Sequence, residues 1–542
     1  MSNKITKGKK KNKPASVEIM GQILEYAVAL IVITLGIVVP LYAPEGYHKI
    51  GDAKFDAYRM VVIPGLSLLI VLGILYLIFT IREKQKWHLS ITDFFVLGYL
   101  LCTLLAMVSG GFYDTVFWGS NGWNMGLFAQ VSFVLFYFFL SRFGKYYKTI
   151  LAVFGVVAAV IFSIGILHRM LIDPTGFYEE LSYEQKAQFL SLLGQATWYA
   201  SYLVVILPVA IGIFLYSKKR MVQMISGVFT MLGFMTLVSQ NSDSAYFALA
   251  GFFLVFLWDG VRRRNTLFRY FLVISMFLTA GKVMNVLLQI HPNPEFYYDF
   301  MTELVLTSGI TWVLLFISVA VCIILYLRRK KSSYPEKALC IVRNGIYLLT
   351  VIGIVVAVVF IILQTKGLLP AYIAEKLNHL SYFKWDDQWG NGRGRIWTFS
   401  WKVFTEESVL HKLLGIGPDC FSSYLDSYYQ ADVELLWGEK ILTNAHNEWL
   451  TTLINVGIAG FLCYVGIFLT GIRRTMQQSI LSACDGMEKG IRIGIVASMV
   501  SYMAYNFFCY QQVLCTPLIF LLMGIGEYMT RQITVDKSRA RT

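Results

Sequence analysis

The stretch "LCIVRNGIYLLTVIGIVVAVVFIILQ", residues 339–364, holds a single charged side chain, Arg343. As an α-helix it is long enough to cross a hydrocarbon core of about 30 Å. Comparable apolar runs of about 20 residues recur from one end of the chain to the other. Over all 542 residues, 56% are hydrophobic and 15% charged, and the mean hydropathy is +0.59. A soluble domain carries about 25% charged residues. The fold class implied is an all-α polytopic membrane protein. A secretory signal peptide would need a cleavage site and a soluble remainder, and the sequence offers neither.

About fourteen transmembrane helices are expected, at residues 20–42, 60–81, 91–108, 124–141, 149–167, 197–216, 221–238, 245–259, 270–288, 305–327, 339–364, 447–471, 493–510 and 515–530. The net charge of +14 raises the question of nucleic acid, and its distribution answers it. With the N-terminus inside, "KITKGKKKNK", "REKQK", "SKKR", "RRRNTLFR", "RRKK" and "DKSRART" all fall on the inner side. Roughly two thirds of the 47 Lys and Arg residues lie there, as short cytoplasmic loops require. The blocks are topology signals beside anionic lipid, and no nucleic-acid partner is expected. Both termini are expected in the cytoplasm of a multi-pass cell (inner or plasma) membrane protein.

The organisation expected is a basic tail (1–19), a bundle of about eleven spans (20–364), a large extracytoplasmic loop (365–446), about three C-terminal spans (447–530) and a cytoplasmic tail (531–542). The Lys-rich first fourteen residues read as disordered. Among the eight cysteines there is no CxxC or Cys/His ligand spacing, so neither a disulfide framework nor a zinc site is expected. Lys282 and Arg343, within spans, are expected to snorkel or to pair inside the bundle. "FWGSNGWNMG", 117–126, reads as an outer turn with interfacial tryptophans.

A long loop in a compact protein usually has a functional reason, and this one holds three features. In "WDDQWGNGRGRIWTFSWKVF", 385–404, glycines at 390, 392 and 394 let the backbone approach a ligand, and Arg393 and Arg395 alternate behind them. Guanidinium groups match diphosphate oxygens; the plain alternative is two arginines snorkelling to headgroups. Residues 396–406 and part of 421–437 are expected to form short helices near the membrane surface, with aromatic residues such as Trp397, Trp401 and Phe404 facing the apolar layer or the bundle. In "HKLLGIGPDCFSSY", 411–424, Gly415–Pro418 reads as a tight turn between short helices. In "LTNAHNEWLTTLINVG", 442–457, a neutral His446 can accept a proton, and Asn444 and Asn447 can orient it or hold sugar hydroxyls. The alternative is a helix N-cap formed by one of the two asparagines. Outside the loop, Asp243 in "QNSDSAY" is a carboxylate at a hinge between spans, either functional or a helix N-cap.

"GRGRIWTFSWKVFTEESVLHKLLGIGPDCF" followed by "TNAHNEWLTTLINVGIAG" resembles the C-terminal core of the O-antigen ligase and O-antigen polymerase superfamily. That core runs as Gly-Arg-x-x-x-Trp, a Gly-x-Gly turn, then His-Asn before a span carrying Gly-x-x-Gly, here Gly457 and Gly460. The resemblance implies a GT-C-type membrane glycosyltransferase that uses no metal or other cofactor. Its donor would be an undecaprenyl-diphosphate-linked glycan, and its acceptor a glycan or lipid hydroxyl of the cell envelope. The family's loop arginine maps onto Arg395 and its histidine onto His446. Many relatives carry an arginine at the hinge where this chain has Asp243. Arg393 or Arg169 would then supply the second cation, or Asp243 would hold the acceptor. Ligase and polymerase both fit. A flippase or other transporter of lipid-linked glycans would instead place its polar groups at mid-bilayer with internal repeats; here they gather in one outer loop.

Overall fold

The computed structural model describes residues 15–541 except 86–87, 123, 180, 293–295, 331–332 and 378–380. The Lys-rich residues 1–14 and Trp123 of the 117–126 turn lie outside the described residues. The described residues are helical nearly throughout, with one two-residue antiparallel pairing among them at Phe189–Leu190 and Gly194–Gln195. Among the described residues, ten helices are long and apolar enough to cross a membrane. Each expected span overlaps helical structure, and the four whose helices fall outside those ten have visible reasons. Leu127–Phe143 has 17 residues, Asp243–Gly260 carries an aspartate near each end, and Gly486–Tyr505 and Thr516–Arg541 carry several charges.

The expected span 305–327 is divided. Phe300–Thr307 and Gly309–Leu327 are separate helices, with Ser308 capping the second by accepting from the Ile310 amide. Lys282 explains the break: its ammonium donates to the carbonyls of Leu306 (2.9 Å) and Ser308 (3.0 Å). Arg343 likewise pairs inside the bundle, donating to the Trp258 carbonyl at 2.7 Å.

Ala196–Tyr216 is the central helix, with 83% of its most apolar window buried, and it packs on Gly486–Tyr505. Glu336–Thr365 is the opposite case, with none of that window buried. Its exposed Leu349, Val351 and Val355 are the surface a helix presents to lipid.

The loop folds as a small body with its own apolar core. Phe399, Val403, Phe404, Ile416, Phe421 and Leu425 are buried together, and Val116 and Ile454 of the bundle complete the cluster. The expected short helices are present as Trp389–Glu406, Phe421–Tyr428 and Gln430–Trp437. Their aromatic residues point two ways. Phe404 faces the loop core, whereas Trp401 is exposed.

The loop is fixed to the membrane bundle by matched backbone breaks. Inside Glu448–Thr475, Gly457 adopts φ 66°, ψ −179°, a conformation essentially confined to glycine. The break frees the carbonyls of Ile454 and Asn455, which accept from the amides of Ile416 (3.2 Å) and Gly417 (2.9 Å). A Cβ on Gly457 would stand 2.4 Å from the Leu413 carbonyl carbon, and one on Gly415 2.3 Å from the Asn455 oxygen. The G-x-G turn is therefore the plug of an interrupted membrane helix.

The sidedness of the bundle is open to a direct check. Reporter fusions after Lys376 and after Lys537 are expected to report opposite compartments, with the Lys376 fusion outside. The same compartment for both would refute the topology.

Candidate functional site

His446 sits where the loop meets the Glu448–Thr475 helix. Its backbone is left-handed, with φ 47°, and the two asparagines hold it there. Asn444 Oδ1 accepts from the His446 amide at 2.8 Å, an Asx turn. Asn447 is the helix N-cap, its Oδ1 accepting from the Leu450 amide at 3.0 Å. Asn447 thus takes the capping alternative, and its acceptor is engaged by the helix. Among the described residues, no group hydrogen-bonds either His446 ring nitrogen. Burial, and secondly the charge of Arg393, push the imidazole from its ordinary 6.5 down to about 4.

Arg393, not Arg395, is the arginine whose charge acts on His446. It follows a left-handed run at Gly390, Asn391 and Gly392, and from there the backbone is helical. Residues two apart on a helix point about 200° from one another, so the two arginines diverge. Arg393 Nη1 donates to the Gly390 carbonyl (2.7 Å) and Nη2 to the Phe508 carbonyl (3.1 Å). Its Nε is buried without an internal partner among the described residues. Arg395 turns back into the loop, pairing with Asp387 at 3.0 Å and donating to the Leu436 carbonyl at 3.0 Å. The Gly-Arg-x-x-x-Trp spacing is itself satisfied by Gly392, Arg393 and Trp397.

Asp243 is not the N-cap of its own helix. Its Oδ1 accepts from the Met301 amide (2.9 Å) and its Oδ2 from the Tyr382 hydroxyl (2.7 Å), which joins the hinge to the large loop. Asp299 lies in its field. Burial, then the charge of Asp243, raises the Asp299 carboxyl from 3.8 to about 6, against the opposing fields of Arg169 and Arg393. Arg169 completes the cluster. It donates to the carbonyls of Ser239 (2.5 Å) and Ala187 (3.0 Å), lies over the Phe296 ring at 4.0 Å, and keeps Nη2 buried without an internal partner among the described residues. Two guanidinium groups and two carboxylates therefore share the mouth of the bundle, and each arginine keeps one uncommitted N–H.

Several participants escaped sequence reasoning. The segment between the last two helices supplies the Phe508 carbonyl to Arg393 and the Tyr510 ring to His446, edge-on at 5.4 Å and 78°. Tyr510 is held by Trp198, whose Nε1 donates to its hydroxyl at 2.8 Å. Nothing in local spacing signals a contact made from 64 positions away. Glu448 did carry a signal, since a carboxylate at the start of a span demands a partner. It is buried and accepts from the hydroxyls of Tyr464 and Tyr502 (2.8 Å) and from the Asn506 amide side chain. Its own amide donates to the Asn506 carbonyl at 2.9 Å, which fixes the start of the segment that carries Tyr510. Beneath lies a polar cavity of about 40 Å³ bordered by Asp419, Asn444, Glu448, Asn455, Tyr510 and Gln511. Asp419 Oδ2 accepts from the amides of Ser120 (2.8 Å) and Met125 (2.9 Å), and burial still raises its carboxyl from 3.8 to about 7.

Glu407 is a different kind of buried carboxyl. It is 4% exposed and neither oxygen has an internal partner among the described residues. Burial raises it from 4.5 to about 8, opposed by Lys412. The unfolded chain ionises near 4.5, whereas the fold holds the proton to about 8. Its effect on stability is therefore absent below 4.5 and grows unfavourable as pH rises to 8. Glu407→Gln is expected to raise stability by about 2–4 kcal/mol at pH 9 and to leave it nearly unchanged at pH 4. Thermal unfolding at the two pH values decides this; equal shifts at both would refute it.

Residues 300–465 match the family model described as O-antigen ligase. The matched region includes the Phe300–Thr307 helix, the whole loop, and Glu448–Thr475 through the Gly457 break. The similarity to that family thus covers residues 300–465, less than a third of the chain, and takes in the loop and the helix that carries the Gly457 break. No curated protein matches the chain.

Proposed function

We propose that this chain is a membrane glycosyltransferase of the ligase or polymerase type. It moves a glycan from an undecaprenyl-diphosphate donor to an acceptor hydroxyl at the loop-bearing mouth of the bundle, without a metal. The observation that carries this is a buried imidazole within the field of Arg393, where, among the described residues, neither ring nitrogen of His446 nor the Nε–H of Arg393 has a hydrogen-bond partner.

In the proposed reaction the acceptor oxygen attacks the anomeric carbon, and the bond from that carbon to the diphosphate oxygen breaks. His446 takes the hydroxyl proton. Arg393, with Arg169 behind it, stabilises the negative charge that develops on the departing lipid diphosphate. The resting imidazole is neutral, as a base must be. An arriving diphosphate offsets the field of Arg393 and favours the protonated form, so donor binding strengthens the base when it is needed. Arg395 supports the loop through Asp387 and Leu436. Asp243 and Asp299 are positioned to accept from acceptor hydroxyls.

The test is transfer by purified full-length protein with a synthetic lipid-diphosphate glycan, with and without EDTA. Turnover that persists in EDTA and yields a glycan joined to a hydroxyl acceptor supports the reading. Loss of all activity with EDTA, or ATP-free transbilayer movement of donor without transfer, overturns it. Whether the acceptor is a lipid core or a second lipid-linked glycan separates ligase from polymerase.

A further inference from the structure

The far end of the bundle holds a second polar cavity, of about 530 Å³, within the range of about 300–1,000 Å³ typical of small-ligand sites. It is formed where Ala196–Tyr216 ends, where Asp243–Gly260 turns into Arg264–Ile290, and where Gly486–Tyr505 begins. Ala196–Tyr216 has 21 residues, or about 31 Å of helix. Its first turn carries Trp198, which holds Tyr510 beside His446. The cavity is thus a membrane thickness away from the transfer site and takes no part in it.

Its lining has an excess of cations. Lys218, Arg262, Arg263, Arg269 and Lys489 meet Asp259, Glu336 and Asp485. Asp259 is saturated, pairing with Lys489 at 2.7 Å and lying 3.9 Å from Arg262. Asp485 is occupied as a helix cap, accepting from the Glu488 amide at 2.7 Å. Arg269 is anchored by the carbonyls of Leu215 (3.0 Å) and Ser217 (2.8 Å), which keep its charge at the wall without neutralising it. Lys218 and Arg263 make no ion pair among the described residues. Glu336 makes no ion pair among the described residues, so five cations against three carboxylates leave the wall an excess of two positive charges, which with the side chains of Asn265, Thr266 and Ser482 suits oxygens bearing negative charge.

We propose that this cavity binds a phosphate-bearing anion, through Lys218 and Arg263 with Arg269 as the fixed cation. The ends of apolar spans surround it, which puts it at headgroup depth and makes an anionic phospholipid headgroup one source; a soluble phosphate compound is the other.

The test uses full-length protein in phosphatidylcholine nanodiscs, titrated separately with short-chain phosphatidylglycerol and with inorganic phosphate, and followed by the thermal unfolding midpoint. Wild type is expected to show a saturable rise with at least one probe. Lys218→Gln with Arg263→Gln is expected to weaken it at least about tenfold, with transfer activity unchanged. Response to the lipid alone assigns a headgroup site; response to both assigns a soluble phosphate ligand. No response in wild type, or equal affinity in the double variant, overturns the proposal. If the double variant does not fold, Lys218→Glu alone provides the same comparison.

Discussion

Replacing His446 by alanine is expected to lower glycan transfer by about 10²–10⁴-fold, the contribution of a positioned general base. Lipid-linked donor should accumulate and the protein should still be inserted. Because φ at this position is 47°, the wild-type residue already carries the left-handed cost of a Cβ, and alanine loses only the greater tolerance that histidine and asparagine have there. His446→Asn removes the imidazole while keeping a residue that tolerates the left-handed region, so the two variants separate chemistry from folding. The pH profile gives an independent reading. The free imidazole is held near 4, so the acid limb of kcat/KM should lie near pH 4. The acid limb of kcat, which reports the complex, should lie higher, because bound diphosphate favours protonation. The same shift sets a stability term: the unfolded chain takes up a proton near 6.5 and the fold resists it to about 4. Wild type should therefore lose stability as pH falls from 6.5 towards 4, and His446→Asn should lose less. Wild-type turnover in both variants would remove His446 from the mechanism.

The second large effect is expected at Arg393. Arg393→Ala should cost about 10²–10³-fold in kcat, the scale of one lost transition-state donor. Arg393→Lys should fail nearly as badly. An ammonium cannot bridge the carbonyls of Gly390 and Phe508 while aiming a further N–H into the site. Arg395→Ala is expected to act on the loop, loosening its contacts with Asp387 and Leu436 at a cost of about 1 kcal/mol. Its effect on kcat should be the smaller. The comparison is decisive because the two arginines share a glycine-rich turn but face different ways. A larger kcat loss at Arg395 than at Arg393 would return the diphosphate to Arg395.

What the sequence determined by itself is the membrane architecture. A backbone in hydrocarbon must satisfy its own hydrogen bonds, so each long apolar run has to be a helix, and runs such as 339–364 leave no alternative. The candidate site was legible as a stretch in which two amides and a histidine stand beside a span, with glycines at 415, 417, 457 and 460. Tertiary structure alone decided which side chains meet. The left-handed residues at 390–392 set the phase of the helix that follows, and that phase sends Arg393 to the Gly390 and Phe508 carbonyls and Arg395 to Asp387 and the Leu436 carbonyl. The role of Gly457 emerges only once the loop's own turn enters the broken helix. The Phe508 carbonyl and the Tyr510 ring arrive from a segment more than 50 positions beyond His446. Such contacts depend on how helices pack rather than on local spacing, and periodicity within one segment carries no information about its neighbours.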